Sequence, residues 1–406
     1  MRKILLTLLF LLFGTYANAD CNIKSGSINI LANDFPALRT LVETAKGCKG
    51  NADFKVTHSS EHNKIAVPAL TANPSEFSVR VAANSSIVPL MNAGLIRPLN
   101  DLVEKYGKDI QDSQLITIDG KVMAVAFMAN TQHLYVRTDV LKENGIAIPK
   151  TYEEVVAAAE KIRAAGKMKH PYAAAYKAGW NLAEEFVNMY IGHGGEFFKS
   201  GSAEPNVNNA KGVATLNMLK KLADLSNPDY LTHDSEAIKV EWESGNVAIM
   251  TLWASRSGTL LDDEGDAKIT AATKLVAPAT VGGGNIPAAT LWWDGFTLAK
   301  NRPDADAEAS FRAMAHAATS KEMVAKAADQ AVWLVEGFVP GPKSVGVIEA
   351  VKMGAKPYPM LPQMGLMHGA LGSEIVEFLQ GNESAEQALK DVEAAYTSKA
   401  KEQGFL

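Results

Sequence analysis

The sequence predicts an α/β protein built as two domains, and three observations carry that reading. Strand-like and helix-like segments alternate along the chain, which is the pattern of sheets flanked by helices with mostly parallel pairing. The 406 residues, 47% of them hydrophobic, are enough for two cores of ordinary size. No long flexible linker divides the chain, so the two domains are expected to be lobes joined by several chain crossings.

The elements follow in order. Residues 1–19 read as a secretory signal peptide: Arg2 and Lys3 give the positive start, 4–13 is an apolar run, and Ala17-Asn18-Ala19 is a small-residue cleavage site. The run is too short to span a bilayer. Cleavage after Ala19 would take the formal charge from −5 to −7 as Arg2 and Lys3 leave. A first strand is expected at 27–31, a helix at 36–45, a second strand at 54–58 and a third at 77–81. Thr151 can cap a helix over 151–165, with Glu154 completing a capping box and Gly166 ending it. Val213, Leu216, Leu219 and Leu222 sit at helical spacing in 212–225. A Gly-rich loop at 281–285 precedes an apolar segment, 288–298, that opens a new unit. Ala-rich helices are expected at 305–318 and 384–399.

Composition limits function. A charged fraction of 21% with a net charge of −5 gives no polyanion-binding surface, so no nucleic acid partner is expected. Cys21 and Cys48 are the two cysteines, and in an exported chain they are expected to pair. The closed loop is short, and the chain-entropy model gives it about 3 kcal/mol. Asp20 stands where a lipoprotein would need a small residue, so Cys21 reads as an ordinary cysteine. G-x-S-x-G, P-loop and H-E-x-x-H motifs are absent. His58 and His62 are four apart but lack a third ligand, so no metal or cofactor is expected.

Three segments carry a family resemblance: Asn92-Ala93-Gly94-Leu95-Ile96-Arg97-Pro98-Leu99-Asn100-Asp101; Leu134-Tyr135-Val136-Arg137-Thr138-Asp139-Val140-Leu141 with Pro149-Lys150-Thr151-Tyr152-Glu153-Glu154; and Gly245-Asn246-Val247-Ala248-Ile249-Met250 before Trp253. In this order the chain resembles the extracellular solute-binding proteins of ABC importers, in the carbohydrate-binding branch that includes maltose-binding protein. The resemblance implies a two-lobe periplasmic-binding-protein fold with three hinge crossings, near 129–130, 291–292 and 337–341. One lobe would hold 20–128 plus 293–338, and the other 129–291 plus 339–406. A small carbohydrate would lie between them, and the closed, monomeric form would be recognised by the importer's permease in the membrane.

Candidate ligand-binding residues follow. A sugar has an apolar C–H face and a polar rim, suiting a flat ring beside hydrogen-bonding groups. Trp180 and Trp253 are placed in the cleft. Trp292 and Trp293 lie at a crossing, and one of the two should face the cleft because neighbours on a strand point opposite ways. Trp242 reads as core, and Trp333 fits either place. Asn33 and Asp34, Ser60 and Glu61, and Asn84 and Ser85 follow early strands, and Asn130, Arg256 and Asp294 complete the polar set. His368 occupies the place where the family sets an aromatic stacking residue, which points to a different or smaller ligand. Alternatives keep the fold: a polyamine on Asp34, Glu61 and Asp294, or a sugar acid or phosphorylated sugar on Arg256 and Arg80. A secreted glycoside hydrolase with paired carboxylates is the rival from another class.

Overall fold

The computed structural model describes residues 21–262 and 265–406; the signal peptide expected at 1–19 lies outside them. The strands are β1 (Ser27–Ala32), β2 (Asp53–His58), β3 (Val79–Ala83), β4 (Leu115–Ile118), β5 (Lys121–Asn130), β6 (Gln132–Arg137), β7 (Tyr172–Ala173), β8 (Ile249–Trp253), β9 (Thr273–Leu275), β10 (Thr290–Leu298), β11 (Val332–Trp333) and β12 (Lys356–Pro357). They form two sheets. One runs β11-β5-β10-β3-β1-β2, with β4 on β5 and β12 on β10, and the other runs β7-β8-β6-β9. Helices flank both.

The pairing is mixed, which corrects the expectation of mostly parallel sheets. β1 pairs in parallel with β2 and β3, whereas β10 is antiparallel to both β3 and β5. The reason is topological. β5 leads out of the first sheet toward β6 of the second, and β10 brings the chain back, so the two neighbours run in opposite senses. β6 is likewise antiparallel to β8 and β9.

Local chemistry explains the elements. β1 is covered on both faces, although one of them also carries the polar Ser27 and Asn29. Ile28 and Ile30 enter one core cluster, with Leu38 and Leu41 of the helix Pro36–Gly47, and Leu31 enters the cluster on the other side. The third strand begins two residues later than expected. Phe77 packs into the core before the ladder starts, and the Ser78 hydroxyl, not a backbone carbonyl, accepts from Asn29 N at 2.8 Å. Thr151 caps the helix Tyr152–Ala164, its Oγ1 accepting from Glu154 N at 3.1 Å. The Glu154 carboxylate reaches back one residue further than a capping box, to Lys150 N at 2.7 Å. Cys21 and Cys48 are joined in a disulfide.

The chain passes between the sheets at Thr131, between β5 and β6, and again where β10 begins at Thr290. A third passage follows β11 and leads to the helix Val345–Lys352, which packs on β6. Buried polar side chains hold the first two together. Thr131 Oγ1 donates to Thr290 O at 2.8 Å, and Asn130 Nδ2 donates to Ser255 Oγ at 3.1 Å.

Candidate functional site

A cavity of about 630 Å³ lies between the two lobes. The carboxyl ends of β1, β2, β3 and β5 point at it from one sheet and that of β8 from the other, where loops outside a sheet form ligand crevices. Asn33 and Asp34 follow β1, Ser60 and Glu61 follow β2, and Ser85 opens the helix Asn84–Asn92 after β3. Asn130 ends β5, Trp253 ends β8, and Arg256 lies just beyond it. β10 enters the first sheet at this level, so Trp292 and Asp294, on one strand face, line the cavity while Trp293 faces away.

Trp180, Trp253 and Trp292 form one aromatic wall. Ring centroids are 6.3 Å apart for Trp180 and Trp253, and 5.6 Å for each of these with Trp292. Tyr358 backs Trp292 at 4.5 Å, and His368 backs Trp180 at 5.1 Å. Trp180 opens the helix Trp180–Gly192 immediately after Gly179, whose φ of +98° turns the chain into the cavity. The Trp292 indole donates to the buried Glu184 carboxyl at 3.1 Å, and to Thr290 Oγ1 at 2.8 Å. Glu184 and Glu185 lie on the same helix, and Glu185 accepts from Gln132 Nε2 at 2.9 Å. Burial pushes the Glu184 carboxyl well above its usual range and that of Glu185 up to about 8.

The rim is charged but balanced. Asp34 takes a two-pronged contact from Arg39 at 2.7 and 2.9 Å, which holds its carboxyl below the usual range. Glu61 pairs with Lys64, Asp234 with Lys177 at 3.1 Å, and Glu236 with Arg256 at 3.0 Å. The Arg256 guanidinium also lies 5.4 Å over the Phe35 ring, a contact made across the cleft. On the floor, burial raises the Asp294 carboxyl to about 7 against the pull of Arg80.

Four candidate ligand residues are not on the cavity wall. Asn84 is buried and ties the lobes together: its Nδ2 donates to Leu291 O at 3.1 Å and its Oδ1 accepts from Trp293 N at 2.9 Å. Trp293 packs against the cluster holding Phe77 and Ala124, because strand alternation points it into the first lobe. His368 is buried behind Trp180, its ring bonded to Tyr358 OH and Trp180 O at 3.0 Å each, so it supports the wall instead of stacking on a ligand. Arg80 is buried beneath the floor, donating to Asn63 Oδ1 at 2.6 Å. Trp242 and Trp333 are both core residues. His58 and His62 bond to separate backbone carbonyls, Asn33 O and Ser59 O, and do not converge.

The sequence reading missed Phe35, Lys177, Asn181, Asp234 and Glu236. Three of them carried a signal. Lys177 and Asn181 flank Trp180, and Asp234 sits at the start of a helix, Ser235–Glu243, which it caps.

Two lobes around such a cleft define a binding protein that holds its solute between domains. Over residues 43–357 the chain matches the family described as bacterial extracellular solute-binding protein, and it belongs to that family. Its fold is shared with maltose-bound MalE3 of T. maritima at 17% identity, with a TM-score of 0.79 over 91% of this chain and 99% of that one. A solute-binding protein of an ABC transporter from Agrobacterium radiobacter K84, in complex with ribitol, gives 0.81 at 15% identity over 92% and 98%. A probable ABC transporter-binding protein of Deinococcus radiodurans is 32% identical over 193 residues; the match spans 46% of this chain and 44% of that relative.

Proposed function

We propose that this protein is the periplasmic solute-binding component of an ABC importer and that it captures a small neutral sugar or polyol. The observation that carries the reading is the wall of Trp180, Trp253 and Trp292 facing the polar loops of the other lobe across one cavity. The wall offers flat apolar area to a C–H face, and Asn33, Ser60, Ser85 and Asn130 offer hydrogen bonds to hydroxyls. The volume is about that of 20 waters at liquid density, which suits a mono- or disaccharide. Relatives of the same fold carry maltose and ribitol.

The charges speak against the alternatives. The tryptophan rings touch each other at 5.6–6.3 Å, forming a wall and leaving no slot between rings for an ammonium. Arg256 is already held by Glu236, and Arg80 is buried, so neither is free to take an anion. A glycosidase needs one carboxyl kept protonated opposite one free carboxylate across the bond; burial raises Asp294, but the cavity's other carboxylates, Asp34, Glu61, Asp234 and Glu236, are each committed to an ion pair. We therefore read the protein as a binder without catalytic activity or cofactor.

The lobes in this reading are 20–128 plus 293–338 and 129–291 plus 339–406, following removal of residues 1–19 on export. Ligand favours the closed form, which the permease recognises, and the protein works as a monomer. A thermal-shift screen of the mature chain against maltose, ribitol, D-mannitol, polyamines and sugar acids tests it. A ligand at one hundred times its dissociation constant adds about 2.7 kcal/mol. A shift with amines or acids alone overturns the neutral-solute reading, and product formation from a glycoside overturns the binding role.

A further inference from the structure

Glu184 is fully buried and does not line the cavity, yet it bonds to a ring that does. Trp180, Glu184 and Asn188 are spaced four apart, so they form one stripe of the helix Trp180–Gly192. Thr290 and Trp292 are two apart on β10, so they share one face of the strand. The two rows meet. Trp180 packs edge-on against Trp292. Glu184 Oε1 accepts from the Trp292 indole at 3.1 Å and from the Thr290 hydroxyl at 2.9 Å. Asn188 Oδ1 accepts from Thr290 N at 2.8 Å, and Asn188 Nδ2 donates to Gln132 Oε1 at 3.0 Å. The stripe therefore runs from the aromatic wall to both chain crossings, at Thr131 and Thr290.

Stability does not account for a carboxyl at this place. Its second oxygen, Oε2, is buried with no hydrogen-bond partner among the described residues. Next to it stands Glu185, a second buried acid that opposes its charge. Such a group costs free energy that an apolar side chain of similar length would not. Nor would its partners be orphaned without it. The indole keeps Thr290 Oγ1 at 2.8 Å, and the Thr290 hydroxyl keeps Asn188 Oδ1 at 2.7 Å. What Glu184 alone supplies is a second acceptor for the indole, and two acceptors fix a ring that one leaves free to swing. The orientation matters because Trp292 is 6% exposed: only an edge of the ring reaches the cavity, so a small rotation decides how much of it a ligand meets.

We propose that Glu184 is a positioning residue for solute capture: it touches no ligand, but it holds the Trp292 indole at the angle that completes the wall with Trp180 and Trp253, at a cost in stability. This rests on the reading of that wall as the solute-binding surface. The indole stands at 65° to Trp180 and at 88° to Trp253. A ring held in its bound orientation before the ligand arrives has less freedom to lose on binding.

The experiment is calorimetric titration of the mature protein with maltose, ribitol and D-mannitol, beside its unfolding midpoint, in wild type and in Glu184→Met, which keeps the length and drops the acceptor. The expected result is an affinity about fivefold weaker for whichever probe binds, the order of one neutral hydrogen bond, with an unfolding midpoint equal to or above that of wild type. A merely structural residue would lower the midpoint and leave the affinity of the folded protein alone. The loss should run through the ring. Trp292→Phe has no indole N–H, and in that background Glu184→Met should change the affinity by less than about twofold. Glu184→Gln keeps an acceptor oxygen and should recover most of the affinity. Should Glu184→Met fail to fold, Glu184→Asp, whose carboxyl stops one methylene short of the indole, takes its place with the same loss expected. A folded variant that binds as wild type, or an equal loss in the Trp292→Phe background, overturns the proposal. If no probe binds, the neutral-solute reading fails separately, and near-ultraviolet circular dichroism of the ligand-free protein decides the positioning. The three indoles lie 5.6–6.3 Å apart, so their mutual angles shape the spectrum. Glu184→Met should change it in the wild-type background and not in Trp292→Phe, and an unchanged spectrum overturns the proposal.

Discussion

Replacing Trp180 with alanine removes the most exposed face of the aromatic wall. The indole is 38% exposed. Taking about 250 Å² for the whole side chain, about 95 Å² is open for a ligand to cover. At about 25 cal/mol per Å² that is about 2.4 kcal/mol, or a loss of affinity of about 50-fold as the ceiling for this contact. The fold should survive, because the ring leans on His368, Trp292 and Trp253 at the cavity surface and is not part of the sealed core. Titration calorimetry with the ligand found by thermal shift measures the loss, and the unfolding midpoint confirms the state of the protein. Trp180→Phe should recover most of the affinity, since a flat ring remains. A folded Trp180→Ala variant with affinity within twofold of wild type would refute the stacking argument.

Trp242→Ala should do the reverse. Its side chain is fully buried beside Tyr135 and donates to Thr273 Oγ1 at 3.1 Å, so the change should cost about 3–5 kcal/mol of stability and leave the affinity of the folded fraction unchanged. The buried Glu185 carboxyl predicts a pH slope. Its folded midpoint, about 8, lies above the unfolded one, so its contribution is present in acid and lost as pH rises from about 4.5 to 8. Below about pH 6.5 the buried His62, His133 and His368, held neutral in the folded chain, act in the opposite sense, so unfolding midpoints should fall with pH between about pH 6.5 and 8, and Glu185→Gln should flatten that slope. The Cys21–Cys48 bond closes a separation of 27 residues, for which the chain-entropy model gives about 3.5 kcal/mol. A dithiol reductant should lower the unfolding midpoint of wild type, and should not move that of the Cys21→Ser, Cys48→Ala double variant.

Much of the architecture was legible because it is written in local chemistry. The alternation of strand and helix patterns, the Thr151 cap and the two-residue periodicity of β10 depend on neighbours in the chain, so 27–31, 54–58 and 151–165 were found within a few residues. The same periodicity said that only one of Trp292 and Trp293 faces the cleft; which one depended on where β10 lies against β3 and β5, and pairing across 160 residues or more is not a local property. His368 shows the limit of reasoning by position. Its place in the chain marked it as a stacking residue, but the helix Met364–Glu374 comes close to Gly179 through Gly372, which sets the imidazole behind Trp180.

By itself the sequence determined two α/β lobes, a cysteine pair and a stock of tryptophans and acids near strand ends, because spacing and composition fix those. Only the tertiary structure decided which charges are committed and which are free. Asp34 and Glu61 look like ligand-reading acids in the sequence and Asp234 and Glu236 do not, yet all four line the cavity and each has an ion partner. Asp294, embedded in the apolar run 288–298, is left facing the cavity over a buried arginine. Burial and counter-charge are properties of distance in space, and the folded chain alone sets those distances.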